Sequence, residues 1–217
     1  MAPLKLHGIP LSTCTSRVLA CAYEKGVDVE VVPVDLRSRE HKTPEFLATK
    51  NPFGEIPVLE DGDLTLFESR AINRYIATKY EGQGTDLLRE GNLKEGALVG
   101  VWLEVESQNY NPAISGLVFE LVIRPMHGGS PKEEVVKTQT EKLEKVLDVY
   151  EQRLTKSKYL AGDFFSLADL HHLPYTYYLM KTPKAEVINS RPHVKAWWED
   201  ITSRPAVQKC LAGMTLI

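Results

Sequence analysis

Cysteine is scarce in this chain, with three residues in 217, at positions 14, 21 and 210. An odd and uneven set cannot close into a disulfide framework, so at least one thiol stays free, which suits a reducing compartment. An excess of either charge is equally missing. The 26 lysines and arginines oppose 29 aspartates and glutamates, for a formal net charge of −3, so the basic domain that marks a nucleic-acid binder is not there. No apolar run approaches the roughly 18 residues of a membrane-spanning helix. The opening MAPLKLHGIP lacks the basic-then-apolar order of a secretory signal, and the closing MTLI carries neither a prenylation box nor a retention signal. Repeats and low-complexity tracts are wanting too. What remains is a cytoplasmic globular protein that engages neither nucleic acid nor membrane. Its 43% hydrophobic and 25% charged residues are ordinary for a packed fold.

What is present divides into two stretches of different grammar. Leu4 and Leu6 alternate with Lys5 and His7, a strand that Gly8 stops. Val18, Leu19, Ala22 and Tyr23 recur at helical spacing until Lys25-Gly26 ends the run. Val27, Val29 and Val31 alternate with Asp28 and Glu30, a second strand that Pro33 assigns to a sheet edge. Thr43-Pro44-Glu45 opens a short helix. Residues 57–60 and 64–67 are strands flanking Asp61-Gly62, a hairpin turn, and Ala71, Ile72, Tyr75 and Ile76 form a helix after Ser69. This order predicts a small mixed sheet covered by helices, an α/β thioredoxin-like arrangement. From about residue 92 strand signals vanish. Val136, Thr140, Leu143, Leu147, Tyr150 and Leu154 make one helical stripe, and residues 194–203 make another helix. Ser166 and Asp169 fit a capping box, with Phe165 and Leu170 placed to staple across it. The expected organisation is a thioredoxin-like domain over 1–82, a linker over 83–91 and an all-α domain over 92–217.

Chemistry concentrates in the first stretch. Ser12-Thr13-Cys14 stands where strand one hands over to helix one, and a helix N-terminus stabilises an anion, a thiolate included. A serine hydroxyl there either caps the helix or donates a hydrogen bond that holds a bound thiol ionised. Cys14 is a rival nucleophile, although no CxxC pair exists, and His7 is a candidate base at a strand end. Ile56-Pro57 is a candidate cis bond that would present the backbone of Ile56 to a peptide-like ligand. Glu68-Ser69 at the start of a helix offers a carboxylate for an ammonium, and a hydroxyl with amides for a carboxylate. His41-Lys42 offers a second carboxylate holder, with a solvated charge pair as the plain alternative. Two carboxylate holders, an ammonium holder, a backbone clamp and a thiolate site match the groups of glutathione. His171-His172 is not read as a metal site, because adjacent residues on a helix face different ways.

These residues, together with EHK at 40–42, NPFG at 51–54, DGDLTLFESRAI at 61–72, LLREGNL at 87–93, KYLAGDFFSLADL at 158–170 and PHVKAWW at 192–198, resemble the plant phi class of glutathione transferases over essentially the whole chain. The resemblance implies a homodimer in the cytosol, with glutathione as co-substrate and no permanently bound cofactor. It implies Ser12 as the catalytic hydroxyl. It also implies His41 and Lys42 toward the glycyl end of glutathione, Ile56 with cis-Pro57 as the clamp, and Glu68 with Ser69 at the γ-glutamyl end. Glu55 departs from it, since relatives usually carry glutamine there, and a carboxylate beside this site predicts weaker glutathione binding. Leu36, Phe119 and Tyr178 resemble positions that line the pocket for an apolar electrophile.

The implied chemistry is thiolate attack on apolar electrophiles, with reduction of organic hydroperoxides beside it. A carrier of apolar ligands such as flavonoids is the alternative. A Cys14-dependent oxidoreductase ranks below both, because Ser12 occupies the position where reductase relatives carry cysteine.

Overall fold

A computed structural model describes residues 3–215. These fall into two compact units, 3–88 with 205–215, and 89–204.

The first unit is built on a four-stranded sheet in the order β2-β1-β3-β4. Strands β1 (Leu4–His7) and β2 (Val29–Val32) run parallel through helix α1 (Thr13–Glu24), while β3 (Val58–Asp61) lies antiparallel to β1 and to β4 (Leu64–Phe67). β2 is an edge strand, as Pro33 just beyond it predicts. Helix α1 buries Val18, Leu19 and Ala22. It closes in a Schellman arrangement: Gly26 N–H donates to Tyr23 O and Val27 N–H to Ala22 O. The β3–β4 turn is one residue later than Asp61-Gly62. Asp61 pairs with Leu64 as part of the ladder, which leaves Gly62 and Asp63 as the loop. Gly62 alone of the two has positive φ, 63°, the pattern of a turn with glycine at its first central position. Helices α2 (Pro44–Thr49) and α3 (Ser69–Lys79) complete this half.

The stretch after α3 is tied down. Thr85 N–H donates to Glu24 O, Lys25 Nζ donates to Thr85 O, and Leu87 and Leu88 are buried.

The second unit holds α4 (Leu93–Val105), α5 (Asn111–Val118) and α6 (Arg124–Met126), separated by π turns at Glu106–Tyr110 and Phe119–Ile123. It continues with α7 (Glu133–Leu154), α8 (Leu167–Leu170), α9 (Leu173–Leu179), α10 (Glu186–Asn189) and α11 (Pro192–Ser203). Thr140, Leu143, Leu147, Tyr150 and Leu154 are the buried stripe of α7. The Ser166–Asp169 capping box is formed, and Phe165 and Leu170 beside it are buried. His172 lies inside an aromatic cluster, edge-on to Tyr110 at 4.5 Å, with Nε2 2.9 Å from the Tyr150 hydroxyl.

Helix α12 (Pro205–Ala212) marks a difference from the boundary read in the sequence, which runs the helical domain to 217. Its buried Val207 and Cys210 pack with α1, and Cys210 Sγ donates to Ser16 O at 3.1 Å, so the last segment belongs to the first unit. Arg204-Pro205 breaks the helix and frees the chain to return.

Candidate active site

Ser12 is the N-cap of α1, with extended backbone (φ −70°, ψ 128°), and its Oγ accepts from Thr15 N–H at 3.4 Å. A hydroxyl that accepts in its cap keeps its own hydrogen for another acceptor. The cap is formed, and it leaves the donor reading of Ser12 compatible with the same side chain. Half-buried at the positive end of a 12-residue helix, the hydroxyl sits where a bound anion is favoured.

The other thiols and the strand-end histidine recede. Burial pushes the Cys21 thiol far up and the Cys210 thiol up to about 12, so neither is a nucleophile near neutrality. Cys14 is half-buried, with Arg17 Nη1 donating to its Sγ at 3.6 Å. His7 Nε2 lies 2.8 Å from Glu60 Oε2, and Glu60 is also paired with Lys50, so this ring is engaged across the sheet.

The NPFG segment forms a turn closed by buried Asn51. Asn51 Nδ2 donates to Glu55 O at 2.9 Å, and its Oδ1 accepts from Phe53 N–H at 2.9 Å. Gly54 has φ 61°, and a Cβ there would stand 2.6 Å from His41 O. Only glycine lets this turn lie against the short 3₁₀ turn Glu40–Lys42. Lys42 Nζ donates to Phe53 O at 2.9 Å across the same approach, which uses one of its three donors. His41 is held below the usual histidine range, first by burial and then by Lys42 and Arg39. It is thus neutral at pH 7 and offers an N–H rather than a charge. Its Nδ1 is buried without a hydrogen-bond partner among the described residues. The Ile56–Pro57 peptide is cis, Ile56 is half-buried, and Glu55 is exposed.

Glu68 sits before α3 at φ 69°, ψ 104°, with no side-chain cap hydrogen bond. A non-glycine residue there stores about 1–3 kcal/mol, and such strain gathers at ligand-holding positions. The start of α3 carries the positive end of the helix dipole, where an anion is favoured. Ser69 is buried, and its Oγ accepts from Arg17 Nη1 at 2.8 Å. Arg17 was not singled out from the sequence, where nothing but a charge among the apolar positions of α1 marks it.

Of the three positions read as an electrophile pocket, Leu36 packs in the first unit against Val34, Phe46 and Val58. In the second unit Phe119 is 47% exposed beneath the Arg124 guanidinium, and Tyr178 is buried.

The four-stranded sheet, the capped start of α1 and the strained entry to α3 define a thioredoxin-like domain, accompanied by a helical unit. The N-terminal domain model of glutathione S-transferases matches residues 2–78, and the C-terminal domain model matches 110–205. Glutathione S-transferase F13 of Arabidopsis thaliana is 54% identical over 98% of this chain and 97% of its own. Glutathione transferase F7 of Populus trichocarpa superposes with a TM-score of 0.96 at 64% identity, covering 98% of this chain and all of that one. Maize glutathione S-transferase I, solved with an atrazine glutathione conjugate, is 52% identical with a TM-score of 0.92, and 98% of each chain is covered. The chain belongs to the glutathione S-transferase family and, within it, to the plant phi class.

Proposed function

We propose that this transferase joins the glutathione thiolate to apolar electrophiles, as in detoxification, and that Ser12 donates the hydrogen bond that keeps the thiol ionised. The carrying observation is the Ser12 hydroxyl, which accepts from Thr15 N–H and keeps its hydrogen at the head of α1. The thiol proton leaves to solvent. The sulfur lone pair forms the new C–S bond, and the leaving group departs with its bonding pair. His41 and Lys42 take the glycyl carboxylate, the backbone of Ile56 before cis-Pro57 pairs with the cysteinyl unit, and Glu68 and Ser69 take the γ-glutamyl ammonium and carboxylate. A steady-state assay with glutathione and 1-chloro-2,4-dinitrobenzene tests the reading. Negligible turnover by protein retained on immobilised glutathione would make it a carrier instead.

Glu55 tunes affinity in this scheme. Its exposed carboxylate adjoins the clamp residue Ile56, and repulsion of a substrate carboxylate weakens binding. Glu55→Gln is expected to lower the KM for glutathione about two- to fivefold, the size of one screened like-charge contact. An unchanged KM refutes the idea.

The working form is a homodimer in the cytosol. Among the described residues no helix is long and apolar enough to cross a membrane. Even so, α4 leaves Leu93 87%, Val101 54% and Leu98 42% exposed. Apolar residues gathered on one exposed helix face mark an interaction surface, and a second copy supplies the partner. Val101→Glu is expected to shift the species seen by light scattering from twice the chain mass to once. A dimer that persists unchanged removes α4 from the interface.

A further inference from the structure

We propose that Arg17 is a positioning residue for glutathione, a buried guanidinium that turns the Ser69 hydroxyl outward to donate to the γ-glutamyl carboxylate. The proposal rests on the reading that the start of α3 holds that carboxylate.

Arg17 is fully buried in α1, and arginine is rarely so placed without a specific task. Its neighbours give the task a direction. Nη1 donates to Ser69 Oγ at 2.8 Å and to Cys14 Sγ at 3.6 Å, while the Arg17 carbonyl accepts from Asn73 Nδ2 at 3.1 Å. Arg17 therefore fastens the first turns of α1 to the first turns of α3, near Ser12 at one end and beside Glu68 at the other.

A serine hydroxyl has one hydrogen to give and lone pairs to receive, whereas a guanidinium only donates. Because Arg17 can only donate, its bond to Ser69 uses a lone pair and leaves the hydroxyl hydrogen for another acceptor. Ser69 is the first residue of α3, where no side chain caps the helix. The O–H is then presented at the positive start of α3, which suits a carboxylate and not an ammonium. An apolar residue at position 17 would leave Ser69 free to rotate and spend its hydrogen within the protein. Lysine could still donate to Ser69, but its flexible ammonium lacks the planar guanidinium that fixes the direction of that donor.

The test compares glutathione with 4-aminobutyryl-cysteinylglycine, the same tripeptide without the α-carboxylate. Wild type should show a KM at least about tenfold lower for glutathione, the worth of a hydrogen bond to a charged group. Arg17→Gln should raise the glutathione KM about tenfold, leave the KM of the analogue within about twofold and keep kcat within about threefold. Arg17→Lys should recover part of the discrimination.

If wild type does not distinguish the two tripeptides, the carboxylate reading of α3 fails and takes the proposal with it. If wild type distinguishes them but Arg17→Gln raises both KM values equally, Arg17 is structural only and the proposal alone fails. Should Arg17→Gln not fold, Arg17→Lys is measured alone and on a Ser69→Ala background. No further loss of discrimination on that background supports action through Ser69, and an additive loss overturns it.

Discussion

Ser12→Ala is expected to reduce kcat/KM about 30-fold near pH 6.5 and much less near pH 9. A hydrogen bond to a charged group is worth roughly 1.5–3 kcal/mol. Lost from the thiolate form alone, it raises the pKa of the bound thiol by about 1–2 units. At pH values below that pKa the thiolate population falls in proportion, and above it most of the sulfur ionises without help. The midpoint of the pH–rate profile should therefore move up by the same 1–2 units. Loss of the cap itself adds little, because the Thr15 N–H bond is long at 3.4 Å and such caps contribute about 1 kcal/mol or less. Cys14→Ser is the control and should retain activity within about twofold, since a serine hydroxyl at that position can still accept from Arg17 Nη1. A Ser12→Ala enzyme with an unmoved profile would assign Ser12 to the cap alone, and activity lost with Cys14 would reinstate the thiol reading.

Where sequence and structure agree, the governing interactions are local. Ser166 and Asp169 are three residues apart, so their reciprocal cap is written in the spacing. The stripe of α7 and the alternation of β1 are likewise short-range periodicities. Ser12 combined both kinds of information, since its place at a helix start was legible while its chemistry needed the rest of the ligand-holding set. Arg17 shows the opposite case, because its meaning depends on Ser69, 52 positions away. The charge state of His41 is set by burial and by two neighbouring cations, and burial has no local spelling. The π turns in 93–126 escaped for a related reason. An inserted residue shifts a 3.6-residue period without erasing it, and the shift is decided by packing. Helix α12 reads as a plain continuation of a helical run, and only the burial of Val207 and Cys210 on α1 returns it to the first unit.

Asp169→Asn is expected to destabilise the protein by about 3–4 kcal/mol at pH 7, one of the largest single-residue losses available outside the thiol site. Four donors converge on this fully buried carboxylate. Leu160 N–H and the Trp197 indole N–H donate to Oδ1, and the Ser166 N–H and hydroxyl donate to Oδ2. Asparagine keeps the shape but always turns its amide N–H₂ toward one of these pairs, setting donor against donor. A melting temperature lower by roughly 10 °C, read by calorimetry, is the corresponding result for a chain of this size. The pH dependence separates the two forces on Asp169. Burial pushes its pKa up to about 6, against the pull of the four hydrogen bonds. The folded state then holds the proton more tightly than the unfolded chain, whose aspartate titrates near 3.9. The resulting stability is full below about pH 4 and is lost as the pH rises through 6. Asparagine does not titrate, so the stability gap between wild type and Asp169→Asn should widen as the pH falls from 7 to 4, by at most about 3 kcal/mol. A gap that narrows instead would mean that the four donors outweigh burial and hold the carboxylate ionised throughout.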